Sequence, residues 1–511
     1  MRYLMGVDNG GTFSKAAIFS ETGEQIASAS ERTEVLIPAE GWRQRDMEAL
    51  WAANARVIKQ AIENSGLAAE DIKGVSFSGH GKGLYLIDRA GKPLGQGILS
   101  TDTRAAAQAA IWQQDGTAGR VYAKTFQKIL ACQPVTLLAW MKKNQPLLYK
   151  EIGAVFAVKD YIRYRLTGEA YGEYSDFSGS NLVNLSTGAY DAELLGYFGL
   201  EDLLPALPPL RHAAELCGRI TSEAAAKTGL AEGTAVAAGM FDIDACGIAS
   251  GLADPERLCM IAGTWSINEY IAKEPVLAKD GPLNSCFCMP GYYLVEESSP
   301  TSAGNMEWFL QSLMKEEQQA AAAQDQSVYD LANAWAASVS PEESDVLYLP
   351  YLNGAPGQAK ARGTFLGLSM HHEKRHMLRA VYEGVVFSHA AHVQRLLRHR
   401  EKPAVIQLSG GAANSAVWVQ IFADVLQIPV EIVGGKELGA QGAAMAAGIC
   451  CGVYQDFSAA IEASVHFTGR IEPRKEYAEI YQKKYQRYEQ AARVLDGYWD
   501  LFGETEGNGD A

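Results

Sequence analysis

The sequence predicts an α/β protein of two related halves, with mixed sheets and helices between the strands. Three observations predict it. The chain has 511 residues, 48% hydrophobic and 21% charged; a single core stops growing near about 250 to 300 residues, so two large domains are expected. Runs of β-prone residues alternate with segments of helical period, which gives antiparallel groups of strands separated by helices. Gly11-Thr12-Phe13-Ser14 recurs as Gly263-Thr264-Trp265-Ser266, each copy between β-prone segments at the front of its half, which is the mark of an internal repeat.

Tyr3–Val7 is apolar and β-prone, and the polar turn Asp8-Asn9-Gly10-Gly11-Thr12 leads into Lys15–Phe19 and a second turn at Glu21-Thr22-Gly23-Glu24. This is the pattern of a hairpin meander. From Met47 to Asn64 the apolar residues Leu50, Ala53, Val57, Ala61 and Ile62 fall on one helix face. Val75–Ser78 is a short strand ending in Gly79-His80-Gly81-Lys82-Gly83, and Leu84–Ile87 continues to the next turn. A boundary is expected near Gly251–Pro255, giving an N-terminal domain over 1–250 and a C-terminal domain over 251–500. Near the end, Tyr477, Tyr481, Tyr485, Tyr488, Ala492 and Leu495 keep helical spacing and are read as a packing face. The acidic, Gly-rich tail over 501–511 is expected to be disordered.

Forty-five basic and 60 acidic side chains give a formal net charge of −15, with no Lys/Arg block, so no nucleic-acid partner is expected. Eight cysteines without a Cys-x-x-Cys pair argue against a disulfide framework or a zinc ribbon. The N-terminus meets an acid after a very short apolar run, and the longest uncharged stretch, Leu438–Tyr454, is mostly Gly and Ala. Neither a leader nor a membrane span is expected, and the location expected is cytoplasmic. A homodimer is the expected assembly.

A glycine turn between strands exposes consecutive N–H groups that hold phosphate oxygens without Lys or Arg. Asp8, at the end of the first strand, suits Mg²⁺, which takes oxygen ligands from one or two carboxylates and from phosphates. The same residues also suit ordinary hairpin turn chemistry. The Walker pattern is absent, and Gly79–Gly83 fits neither that pattern nor G-x-G-x-x-G. His80 and Lys82 read either as donors to a polyhydroxylated ligand or as exposed loop residues. Asp242 stands at a strand-to-helix junction, where a carboxylate of ordinary pKa, about 3.9, accepts a hydroxyl proton or simply caps the helix. Asp244 lies about 200° further round that helix. Val405–Leu408, Ser409-Gly410-Gly411-Ala412-Ala413-Asn414 and a following helix make a strand–glycine–helix junction suited to close approach of a flat or phosphorylated ligand, or to plain packing.

Together these segments resemble the FGGY family of carbohydrate kinases up to about residue 490. The family's C-terminal signature is matched by Gly363-x-Phe365-x-Gly367-Leu368, seven residues, then His376-Met377-x-x-Ala380-Val381-Tyr382-Glu383. The resemblance implies two ribonuclease-H-like domains of the actin and hexokinase class with an interdomain cleft, sugar bound mainly on the first and ATP on the second. It implies Asp242 of Gly239-Met240-Phe241-Asp242 as catalytic base, Asp244 as a bystander, Asp8 near Mg²⁺, and His80, Gly81, Asp102 and Asp242 at the sugar. It also implies Gly11 and Thr12 as the first phosphate loop, Gly263 and Thr264 as the second, and Gly410, Gly411 and Asn414 as the adenosine loop. Gly79–Leu84 with Ser100–Arg104 is most similar to members acting on L-xylulose and nearly as similar to those acting on erythritol; the Arg-Glu pair expected of glycerol kinases is absent. The activity implied is ATP-dependent phosphorylation of a primary hydroxyl on a xylulose-type pentulose. A polyol such as erythritol or glycerol is the alternative acceptor, and an actin-like or chaperone-like ATPase the alternative of another class.

Overall fold

The computed structural model describes residues 1–278 and 281–501, so the tail expected at 501–511 lies, beyond Leu501, outside the described residues. The chain forms two compact units. The first comprises residues 1–253, 271–295 and 435–465, and the second 254–270, 296–434 and the chain from 466 onward. Segments 271–295 and 435–465, beyond the boundary expected near 251, are thus part of the first unit.

In the first unit, strands β1 (Tyr3–Asn9), β2 (Phe13–Ser20) and β3 (Gln25–Arg32) form an antiparallel meander. Helix α1 (Met47–Ser65) carries the chain back to β4 (Ile72–Gly79), which pairs parallel with β1. Asp46 caps α1 by accepting from Ala49 N at 2.7 Å, and Gly66, at φ 66°, ends it in the left-handed conformation that glycine adopts freely. Leu50, Val57, Ile58 and Ala61 lie buried with Met5, Val7 and Val75 of the sheet in one core. Strands Ala235–Ala237 and Leu216–Arg219 extend the sheet beyond β4. Both seven-stranded sheets are mixed, as the alternation of hairpins and helices predicts.

The other face of this sheet is covered by the Gly/Ala helix Leu438–Cys450. Its lack of bulk permits very close packing: a Cβ on Gly6 would lie 1.7 Å from Ala440 O, and one on Gly442 2.1 Å from Ala245 O. The long uncharged stretch is therefore a buried helix of small residues, and no described helix is long and apolar enough to cross a membrane. Gly6→Ala forces backbone apart and is expected to cost about 3 kcal/mol, read as a lower urea midpoint at unchanged slope.

The second unit repeats the arrangement. After β5 (Met240–Phe241), which pairs parallel with β4 in the first unit, β6 (Arg257–Ala262) and β7 (Ser266–Ala272) pair antiparallel, and β8 (Val405–Ser409) pairs parallel with β6. Val430–Val433 and Phe467–Ile471 continue the sheet. The two copies of the repeated motif thus fall at equivalent turns, between β1 and β2 and between β6 and β7. The tyrosine stripe is packing, as its spacing predicts: Tyr481, Tyr485 and Tyr488 surround Phe387 at ring distances of 6.4, 5.8 and 5.5 Å.

Candidate functional site

Ligands of open α/β sheets bind beyond the carboxyl ends of parallel strands. In the first unit three such ends align, since Ser78 on β4 is in register with Asp8 of β1 and with Met240 of β5. The Ser78 hydroxyl lies 2.8 Å from Asp8 Oδ1 and 3.0 Å from Gly439 O, and shares its proton between them. A Cβ on Gly439 would stand 3.0 Å from Asp8 Cγ, so only glycine lets the helix approach this carboxylate. Removal from water raises the Asp8 carboxyl, against the opposing pull of Ser78 and Lys15.

Asp242 opens helix α3 (Asp242–Ala249) directly after β5. The N-cap position belongs to Phe241 and makes no side-chain capping bond, so the capping role open to Asp242 in the sequence is not realised. Nor does Asp242 keep an ordinary acidity. Burial, then the negative charges of Asp8 and Asp176, push its carboxyl well above the usual range, with Lys82 opposing. Asp244 is buried and accepts from Cys288 N at 2.7 Å, away from this role.

The glycine loop after β4 is not an exposed one. His80 is 6% exposed, its N–H donates to Asn9 O at 3.0 Å, and its Nε2 lies 3.1 Å from Tyr85 OH. Burial and the charge of Arg45 bring its pKa down to about 4, leaving a neutral imidazole at neutral pH. A Cβ on Gly81 would meet the Phe241 ring at 2.5 Å, so this loop lies directly against the residue preceding Asp242. Asp102 accepts from Arg43 N at 2.6 Å and from Arg104 N, Nε and Nη2 at 3.0, 2.9 and 2.7 Å. A carboxylate offers about four acceptor positions, so those of Asp102 are taken up by Arg43 and Arg104, and the Arg104 guanidinium stacks 3.9 Å from the Trp42 ring centroid.

Beneath the Ala238–Asp242 turn lies a buried charge cluster that the sequence did not reveal. Lys159 Nζ, on helix α2 (Val158–Thr167), lies 3.0, 3.5 and 3.3 Å from carboxylate oxygens of Asp160, Glu173 and Asp176. Arg163 pairs with Asp160 at 2.8 Å and donates to Ala238 O. Ser175 donates to Glu173 at 2.7 Å and accepts from Phe241 N at 3.0 Å, tying the cluster to the backbone that carries Asp242. Burial lifts the Asp176 carboxyl to about 7 despite Lys159.

The turn Gly10–Thr12 is open: Gly11 and Thr12 are exposed, and a Cβ on Gly11 would meet nothing within 4 Å. Buried Arg45, a residue with no sequence signal, donates to Gly11 O at 2.7 Å and holds the turn from behind.

The second unit contains a cavity of about 520 Å³, a size typical of small-molecule sites. Gly263, Thr264, Gly411 and Asn414 line it together with Asn333 and Trp418. Gly410, at φ 88°, stands behind them, where a Cβ would lie 2.7 Å from the Ala262 carbonyl. Asn333 accepts from Ser415 Oγ at 2.6 Å and Tyr382 OH at 3.0 Å. Ser415 in turn caps the helix Ala416–Leu426 by accepting from Trp418 N. The loop glycines were legible in the sequence; Asn333 and Trp418, on helices far apart in the chain, were not.

The FGGY family of carbohydrate kinases matches by its N-terminal domain over residues 3–248 and by its C-terminal domain over 258–451. A probable L-xylulose kinase of Pasteurella multocida is 37% identical over 496 residues, 97% of this chain and 99% of its own length. An L-xylulose/3-keto-L-gulonate kinase of Escherichia coli is 36% identical, with 97% and 98% covered. Among solved structures, a xylulose kinase of Rhodospirillum rubrum is similar at a TM-score of 0.86 and 26% identity, covering 98% of this chain and all of that one. A ligand-bound xylulose kinase of Lactobacillus acidophilus shares the fold at a TM-score of 0.89 and 23% identity over 98% of this chain and 100% of the other.

Proposed function

The chain belongs to the FGGY family of carbohydrate kinases and is an ATP-dependent sugar kinase, and from that premise we propose that it phosphorylates a primary hydroxyl of a xylulose-type ketose, with Asp242 as general base. The observation that carries this reading is an uncapped, desolvated carboxylate at the carboxyl ends of β1, β4 and β5, directly after Phe241, whose ring packs against the Gly81 loop. Desolvation makes Asp242 a stronger base than an exposed aspartate, and it takes the hydroxyl proton as the sugar oxygen bonds to phosphorus and ADP leaves. His80, Gly81 and Asp102 with Arg104 orient the sugar. The exposed amides of Gly11 and Thr12 suit phosphate, and the cavity at Gly263, Thr264, Gly411 and Asn414, backed by Gly410, suits ATP.

Asp8 and its neighbour Asp242 make a donor set of carboxylates only, which suits Mg²⁺ shared with phosphates and not an all-protein cage. Asp8 is the residue we assign to that ion, which when bound would neutralise phosphate charge. The names of the relatives favour L-xylulose, with the anionic 3-keto-L-gulonate as a second acceptor. The test is ADP release over L-xylulose, D-xylulose, L-ribulose, erythritol and glycerol, ranked by kcat/KM. L-xylulose is expected to lead; a lead by erythritol or glycerol would move the acceptor to the polyols, and ADP release indifferent to any sugar would overturn the reading.

A further inference from the structure

Lys82 has no role in that reading, yet its setting is unusual for a lysine. It sits at φ 64° between two glycines. A side chain in the left-handed region carries strain that glycine avoids, and such outliers gather where a side chain is used. The loop around it is pinned. Gly83 N donates to Cys132 O at 2.8 Å, and a Cβ at Gly83 would lie 2.4 Å from Ile98 O, as one at Gly81 would strike the Phe241 ring. Of residues 81–83, only Lys82 has room for a side chain, and the fixed backbone sets its direction.

Lys82 lines a small pocket with Pro134, Phe156, Phe177 and Asp176, and Nζ stands 5.6 Å from the ring centroid of Phe241, the residue before Asp242. Lys15, Lys124, Lys142 and Lys159 each have a carboxylate at 3.0 Å or less. Lys82, though half-buried, has none within ion-pair distance among the described residues. Asp242 feels its charge only from beyond ion-pair distance, and an ammonium partly removed from water without a contacting carboxylate gains from an arriving anion.

Resting on the kinase reading above, we propose that Lys82 binds an oxyanion of the reacting pair. Two sources share that chemistry: a carboxylate on the acceptor, and the phosphoryl group in transfer. Lys82→Met and Lys82→Arg separate them when kcat and KM are measured by ADP release with neutral L-xylulose and anionic 3-keto-L-gulonate. A charge-assisted contact makes a loss of about 10- to 100-fold the expected size. Loss in Lys82→Met confined to kcat/KM for the acid, with weaker calorimetric binding of the acid in the absence of ATP, identifies the acceptor carboxylate. Equal loss of kcat on both acceptors, with KM little changed and activity regained in Lys82→Arg, identifies the phosphoryl group. Unchanged kinetics, or a loss that Lys82→Arg does not relieve at all, overturns the proposal. A wild-type enzyme that releases ADP with no sugar would instead overturn the kinase acceptor assignment, before any variant is compared.

Discussion

Asp242→Asn lowers kcat by about 10²- to 10⁴-fold, the ordinary worth of a general base, while sugar and ATP affinity change by no more than a few-fold. Asparagine keeps the shape of the side chain at the start of α3 and cannot accept the hydroxyl proton. Burial and the charges of Asp8 and Asp176 raise the Asp242 carboxyl, so in the wild type it protonates, and catalysis stops, at a higher pH than for an exposed aspartate. The acid limb of kcat/KM accordingly falls as pH drops through that raised value, and the residual activity of Asp242→Asn lacks this limb. Single-turnover ADP formation with calorimetric sugar binding checks both parts. Turnover near that of the wild type would remove Asp242 from the role of base.

The second large effect is on stability. Lys159→Met leaves Asp160, Glu173 and Asp176 facing one another with Arg163 paired only to Asp160. Removing one partner from a buried ion cluster costs about 3 to 5 kcal/mol, because the remaining charges stay desolvated. Loss of the ammonium raises the folded-state pKa of Asp176, already about 7, further above its unfolded value. Its share of the deficit is therefore full at alkaline pH, where it is ionised in the folded protein, and shrinks as pH falls through that raised value and it protonates. Urea unfolding at two pH values measures this; a shift under about 1 kcal/mol would show that the cluster tolerates the loss of its lysine.

What could be read in the sequence had local causes. The meander β1–β3 was legible from turn chemistry at Asp8–Thr12 and Glu21–Glu24, and α1 from the spacing of Leu50, Val57 and Ala61. The tyrosine stripe was legible for the same reason. Asp242 was legible as a candidate because a small-residue strand ends beside it, but its raised pKa was not, since that depends on Asp8 and Asp176, remote in the chain. The Lys159–Arg163 charges escaped notice because α2 is buried on several sides, so charged residues there carry no amphipathic signature. Arg45, Asn333 and Trp418 reach their places only through tertiary packing. The same holds for the return of the Gly/Ala helix Leu438–Cys450 to the first unit, which local periodicity cannot encode.

That helix has a consequence for biosynthesis. Lys15 meets Glu437, 422 positions downstream, and Ser78 meets Gly439, 361 positions downstream. At ribosomal speeds of about 5 to 20 residues per second, the first meander waits roughly 20 s or longer for the helix that roofs it. Through that interval the nascent chain presents a bare apolar sheet around Gly6. A fragment ending near residue 250 stays in this unroofed condition for good, and chaperone capture or aggregation is its natural fate.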